Sequence, residues 1–116
     1  MIQKLEKEVK GTGEVSGFTY TFAKETDKAY IYEATFEEGG RHYEVFEKKI
    51  TPICLDFENR VYSETEFKEI YPKSKDFGVW AFTKTDYMSA LSKLQDLTDI
   101  VLLRESKQSI NETDIK

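Results

Sequence analysis

The chain has 116 residues, room for one domain with its own core and too little for two. Its net charge is −5, spread over both halves, and with 34% charged residues it carries no basic footprint for a nucleic-acid backbone. A single cysteine, Cys54, excludes an intrachain disulfide. No apolar run approaches a membrane span, and the opening MIQKLEKEVK lacks the apolar centre of a secretory signal, so the expectation is a soluble cytoplasmic protein.

Residues 1–12 read as a leader or a short helix, with Ile2, Leu5 and Val9 near helical spacing, broken by Gly11, Gly13 and Gly17. A strand is expected from about Glu14 to Glu25, where Phe18, Tyr20 and Phe22 alternate with Thr19, Thr21 and Ala23. The stretch Tyr30 to Lys49 is the organising element of the chain. Its Gly39–Gly40 pair reads as a two-residue hairpin turn, because both central residues of a type I′ turn need φ > 0. Such a turn sets Glu38 opposite Arg41, Phe36 opposite Tyr43 and Ala34 opposite Val45. Tyr30, Tyr32, Ala34, Phe36, Tyr43 and Val45 then share one face, and Glu33, Thr35, His42 and Glu44 the other. Carried back across a loop at Thr26-Asp27-Lys28, the same face pairs Phe22 with Tyr32, Tyr20 with Ala34 and Phe18 with Phe36.

Pro52 ends the third strand, since proline cannot donate to a ladder. Ile53, Leu55 and Phe57 suggest a fourth strand, Glu58-Asn59-Arg60 a turn and Val61-Tyr62 a return. Ser63-Glu64-Thr65-Glu66 fits a capping box before a helical turn through Phe67 and Ile70. Phe77 to Phe82 is apolar on both parities, with Trp80 and Phe82 pointing one way, as in a central strand. Thr83-Lys84-Thr85-Asp86 is a second capping box, followed by Tyr87, Ala90, Leu91, Leu94 and Leu97 at helical spacing. Ile100 to Leu103 reads as a final buried strand; continuation of the helix is the alternative, because no Gly or Pro stops it. Residues 1–104 make up the domain, and residues 105–116 read as a polar, frayed tail. The fold expected is α+β, an antiparallel, meander-like sheet of about five to six strands with one main amphipathic helix on its aromatic face.

The chemical inventory is thin. Gly11-x-Gly13-x-x-x-Gly17 precedes a strand and misses the dinucleotide-binding spacing, so its glycines read as turn residues. His42 and Cys54, the lone His and Cys, cannot complete a structural zinc site without carboxylates; a nucleophilic Cys–His pair on the polar face is the sharper reading. Glu33 and Glu44 become diagonal neighbours there, where a raised carboxylate pKa could serve acid–base chemistry; a solvated charged face is the plainer account. The aromatics could stack bases, but a stacking surface needs a cationic groove, and an amphipathic helix needs a face to cover. Asn111-Glu112-Thr113 matches a glycosylation sequon, read as chance without a signal segment.

No catalytic residue, cofactor or metal site is assigned, and the chain leans away from enzymes. The leading expectation is a protein-interaction module, acting on another protein through the face bearing Glu33, His42 and Glu44, or forming a homodimer through an edge strand. Two alternatives stand beside it: a mobile-element-type inhibitor acting through an acidic surface, and a small-ligand binder or enzyme with a pocket between sheet and helix.

Overall fold

The computed structural model describes residues 2–114, the side chains of residue 14 and of residues 108–114 excepted. In chain order its strands are β1 (Ile2–Gln3), β2 (Glu8–Lys10), β3 (Phe18–Glu25), β4 (Ala29–Phe36), β5 (Arg41–Glu47), β6 (Ile50–Asp56), β7 (Val61–Glu69) and β8 (Ala81–Lys84), followed by a helix, α1 (Tyr87–Asp114). Strands β2-β3-β4-β5-β8 form an antiparallel sheet in that order, and β1-β7-β6 form a second, smaller sheet. The α+β class expected from the sequence is the one observed. The N-terminal segment is not a helix, because Val9 pairs with Tyr20 and the Phe22 amide donates to the Lys7 carbonyl at 2.8 Å. Pairing to an open sheet edge overrides a short and weak helical period.

Between β3 and β4 the expected register holds. Phe18 faces Phe36, Tyr20 faces Ala34 and Phe22 faces Tyr32, and the chain turns at residues 26–28 after a bulge beside Ala23. Between β4 and β5 it does not. Tyr43 faces Glu33 rather than Phe36, Ala34 faces His42, and Ile31 faces Val45. The tight turn at Gly39–Gly40 is replaced by a longer loop, in which the Phe36 amide donates to the Gly40 carbonyl at 3.2 Å and both glycines keep positive φ, 106° and 102°. The reason lies outside the hairpin. The Phe36 ring packs on Phe18 at 4.8 Å, and the Glu37 amide donates to the Gly17 carbonyl at 3.0 Å, which draws residues 36–37 towards the turn before β3. A slip by an odd number of residues moves a strand to the opposite face. His42 and Glu44 thus join Tyr30 and Tyr32, while Tyr43 and Val45 lie with Ile31.

Each face of the five-stranded sheet is covered. On one, Ala29, Ile31, Tyr43 and Val45 pack against Ala90, Leu94 and Leu97 of α1, with Phe82 and Leu91 at the margin. Side chains such as Ile31, Val45 and Leu94 contribute about 1.5–3 kcal/mol each on burial. On the other, Tyr20, Tyr30, Tyr32, Ala34, Phe46 and Ala81 are covered by Leu5, Val9, Tyr71, Phe77 and Trp80. The helix therefore meets Tyr43, Phe82 and its own Tyr87, while most of the aromatic array faces the layer that carries Tyr71 and Trp80.

Several local expectations change. Pro52 does not end a strand but lies inside β6, opposite Phe67. Ser63 Oγ accepts from the amides of Thr65 (3.2 Å) and Glu66 (2.9 Å), as a cap would, yet residues 61–69 are a strand. Those bonds hold an irregularity, with Cys54 opposite Tyr62 but Pro52 opposite Phe67, so that β7 carries extra residues at 63–66. Residues 77–80 form a turn with Gly78 at φ 91°, and β8 is a short edge strand; Trp80, in that turn, and Phe82, in the strand, serve opposite faces. Helix α1 is capped by Asp86, not Thr83: Asp86 Oδ1 accepts from the Ser89 amide at 2.8 Å. Residues 100–103 continue α1 instead of forming a strand. The extension is held to the sheet by Thr98 to Thr26 (2.7 Å), Arg104 to Glu47 (3.1 Å) and Lys28 to Glu105 (3.0 Å). The expected tail is helical backbone as far as Asp114; residues 115–116 lie outside the described residues, as do the side chains of the Asn111 sequon.

The register is testable. Thr35 and Arg41 flank the Phe36–Gly40 bonded pair, a position where antiparallel Cα atoms stand about 4.5 Å apart, within disulfide reach. In a Cys54→Ser background, Thr35→Cys/Arg41→Cys should oxidise to a crosslink by thiol titration, whereas Phe36→Cys/Tyr43→Cys should not. Leu94→Ala should lower unfolding free energy by about 2–5 kcal/mol in a urea titration.

Candidate functional site

The corrected register creates a polar site inside the aromatic layer. Glu44 stands on β5 between Tyr32 of β4 and Thr83 of β8, and only 7% of it is exposed. His42, two residues earlier, lies on the same face, with Nε2 3.0 Å from Glu44 Oε2. After β7 the chain crosses this face as Tyr71-Pro72. The Tyr71 hydroxyl donates to Glu44 Oε1 at 2.5 Å, and its ring lies 4.8 Å from Phe46, 5.1 Å from Tyr20 and 5.4 Å from Tyr32. Both carboxylate oxygens are thus engaged, as a buried carboxylate requires. A cleft of about 370 Å3 reaches this group between Tyr20, Tyr71, Lys73 and Phe77.

A second tie repeats the chemistry. Glu69, at the end of β7, accepts from the Tyr30 hydroxyl at 2.5 Å and from the Leu5 amide at 3.0 Å, both through Oε1. The Tyr32 hydroxyl donates to the Glu6 carbonyl at 2.7 Å. Among the described residues no buried side-chain nitrogen or oxygen lacks a partner.

Burial and nearby carboxylates act in the same direction on the phenols. Burial, then the Glu44 charge and hydrogen bond, push Tyr71 well above the ordinary tyrosine range. Burial and Glu69 raise Tyr30 strongly, burial with Glu69 raises Tyr32 to about 12, and burial with Glu44 raises Tyr20. These groups hold their protons. Chemically the set is a proton-holding lock between two layers rather than a base or nucleophile. Elsewhere Lys48, 2.6 Å from Glu25, holds that carboxyl below its usual value.

The three residues expected to form one interaction face are divided. His42 and Glu44 meet in the aromatic layer, while Glu33 points to the side of Tyr43 and lies 3.7 Å from Arg41. Glu33 and Glu44 are not diagonal neighbours on one outer face. Cys54 is exposed on β6 opposite Tyr62, and His42 turns to Glu44, so the Cys–His pair does not form. The spaced glycines belong to a turn, with Gly17 beneath the Phe36 ring. Neither Tyr71 nor Glu69 belongs to a motif in the sequence. The signal for Tyr71 was its proline neighbour, which disfavours helix at residue 71 and asks for an extended chain across the sheet.

A different surface stands out by exposure. Strands β6 and β7 form an arm whose outer half presents Leu55 (64% exposed), Phe57 (85%), Val61 and Tyr62. Asn59 caps the turn by donating to Asp56, and Arg60 adopts φ 55°. Comparison with family models, curated proteins and solved structures finds no match to this chain. Among the described residues no helix is long and apolar enough to cross a membrane.

Tyr71→Phe and Glu69→Leu should each cost about 1–3 kcal/mol of unfolding free energy, since the first leaves Glu44 without a donor and the second leaves the Tyr30 hydroxyl without an acceptor. Raised phenol pKa values stabilise the fold fully below pH 10, the unfolded value, and that contribution fades as pH rises through the folded values. Absorbance at 295 nm should therefore show these phenols ionising beyond pH 10, together with loss of far-UV dichroism.

Proposed function

We propose that this chain is a non-catalytic protein-interaction module whose contact surface is the outer half of the β6–β7 arm. The observation behind this reading is the grouping of Leu55, Phe57, Val61 and Tyr62, large apolar side chains in water on one projecting hairpin. Isolated exposed apolar residues are ordinary, but four large ones within residues 55–62 of one hairpin, two of them aromatic, are the composition of a contact site. Against an enzyme, the buried carboxylates have their hydrogen bonds filled from within the protein, and the buried tyrosines keep their protons. The partner is another protein. A cytoplasmic setting accords with the single free cysteine, Cys54, left exposed.

The inhibitor reading calls for one acidic patch. Glu33, Glu37, Glu38, Glu44, Asp56 and Glu58 instead belong to β4, the β4–β5 loop, β5, the end of β6 and the arm's turn, with Glu44 withdrawn from water. That distribution lends it little support.

A photo-crosslinking side chain placed at Phe57 in the full chain, expressed in its native host, should capture one defined protein that the same probe at Lys24 does not. Leu55→Ser with Tyr62→Ser should abolish the adduct while leaving the thermal midpoint nearly unchanged. Equal yields from both probe positions would refute the arm as the contact surface. Light scattering identifies a second copy as the partner if the mass exceeds 13.6 kDa with rising concentration.

A further inference from the structure

The arm's root carries a second feature, independent of its apolar tip. An open cleft of about 690 Å3 lies where β6 leaves and β7 rejoins the body, and four lysines line it: Lys49, Lys68, Lys73 and Lys75. Trp80 forms part of the wall. The frame is set by backbone bonds. The Ile70 amide donates to the Lys49 carbonyl at 3.0 Å, the Glu47 amide to the Trp80 carbonyl at 3.0 Å, and the Trp80 amide to the Asp76 carbonyl at 3.1 Å. Lys68 sits opposite Thr51 on the arm.

Two carboxylates share the lining, Glu69 and Asp76, and both are engaged by the protein itself. Glu69 holds the Tyr30 hydroxyl and the Leu5 amide, and Asp76 Oδ2 accepts from the Lys73 amide at 2.8 Å. Among the described residues Lys68, Lys73 and Lys75 form no ion pair, and Lys49 shares Glu47, 3.8 Å away, with Arg104. In a chain of net charge −5, the four ammonium groups outnumber the two carboxylates of the lining, and the three lysines without an ion pair make a local positive site. A concave wall of low dielectric focuses that potential. Lys49 Nζ stands 5.8 Å from the Trp80 ring centroid, so cation and aromatic plane address the same space. The volume falls within the roughly 300–1,000 Å3 of small-molecule sites.

We propose that this cleft binds a small organic phosphate bearing a flat ring, of the nucleoside-diphosphate class, with its phosphates against Lys68, Lys73 and Lys75 and its ring on Trp80. The charge surplus selects the anion, and the lone tryptophan selects a planar group over an inorganic ion. The reading does not depend on the arm's tip contacting a protein.

Trp80 is the sole tryptophan, so its emission reports on the cleft directly. ADP titrated into the full chain at low salt should quench it saturably, with calorimetry confirming the affinity. Lys68→Gln/Lys73→Gln/Lys75→Gln should weaken binding about tenfold or more, while Lys10→Gln/Lys24→Gln should not. The three cleft lysines are exposed, so folding should survive, as dichroism would verify. Wild-type affinity should also fall as salt rises from about 50 to about 200 mM. No saturable response up to about 1 mM ADP overturns the proposal. So does binding indifferent to salt and to the lysine changes, and so does inorganic pyrophosphate binding as tightly as ADP, which would leave the ring without a role.

Discussion

A tyrosine hydroxyl given to a carboxylate beneath the covering layer, buried at Glu44 and half-buried at Glu69, is the contact on which this architecture turns. Tyr71 to Glu44 and Tyr30 to Glu69 run in opposite senses, one donor on the covering layer and one on the sheet. The small sheet needs them, because none of the residues in β1, β6 and β7 is fully buried. Its apolar residues cannot fasten it, and the strong layer contacts belong to Leu5, Tyr71 and Trp80 at its boundaries. A bond from a neutral phenol to a carboxylate in an aromatic setting is stronger than one between neutral groups, and it is costly to break from one side.

The elements that local chemistry decides could be read directly. The stripe Ala90, Leu94 and Leu97 is buried as its spacing implies, and the β3–β4 register followed from the alternation of Phe18, Tyr20 and Phe22. The β4–β5 register could not be read that way. Gly39 and Gly40 do adopt the positive φ that they advertise, but the loop length is decided by Phe36 on Phe18 and Glu37 on Gly17. Ser63 is a similar case. Its hydroxyl accepts the two amides that its spacing foretells, inside a strand that a partner has already claimed. Local hydrogen-bond preference was legible, and the tertiary context that used it was not.

The site divides the same way. His42 and Glu44 were bound to share a strand face, because a strand repeats every second residue. Which face, and that Tyr71 would reach down to it, depended on a crossing made by residues far along the chain. Glu33 was assigned with them only through the hairpin register and separated from them when that register changed. The lysine cleft had no sequence signature at all, since Lys49, Lys68, Lys73 and Lys75 come from four separate positions around one arm.

The free borders of the two sheets share a property that shapes how this molecule can meet others. In the larger sheet the outer strands are β2 and β8, of three and four residues, and β8 is further occupied by its own turn, with the Gly78 amide given to the Ala81 carbonyl at 2.7 Å. In the smaller sheet β6 carries Pro52, which has no amide hydrogen, and its pairing is broken twice. Short, irregular or proline-bearing borders are poor templates for a foreign strand. At these borders recognition is thus left to side chains, where it can be selective.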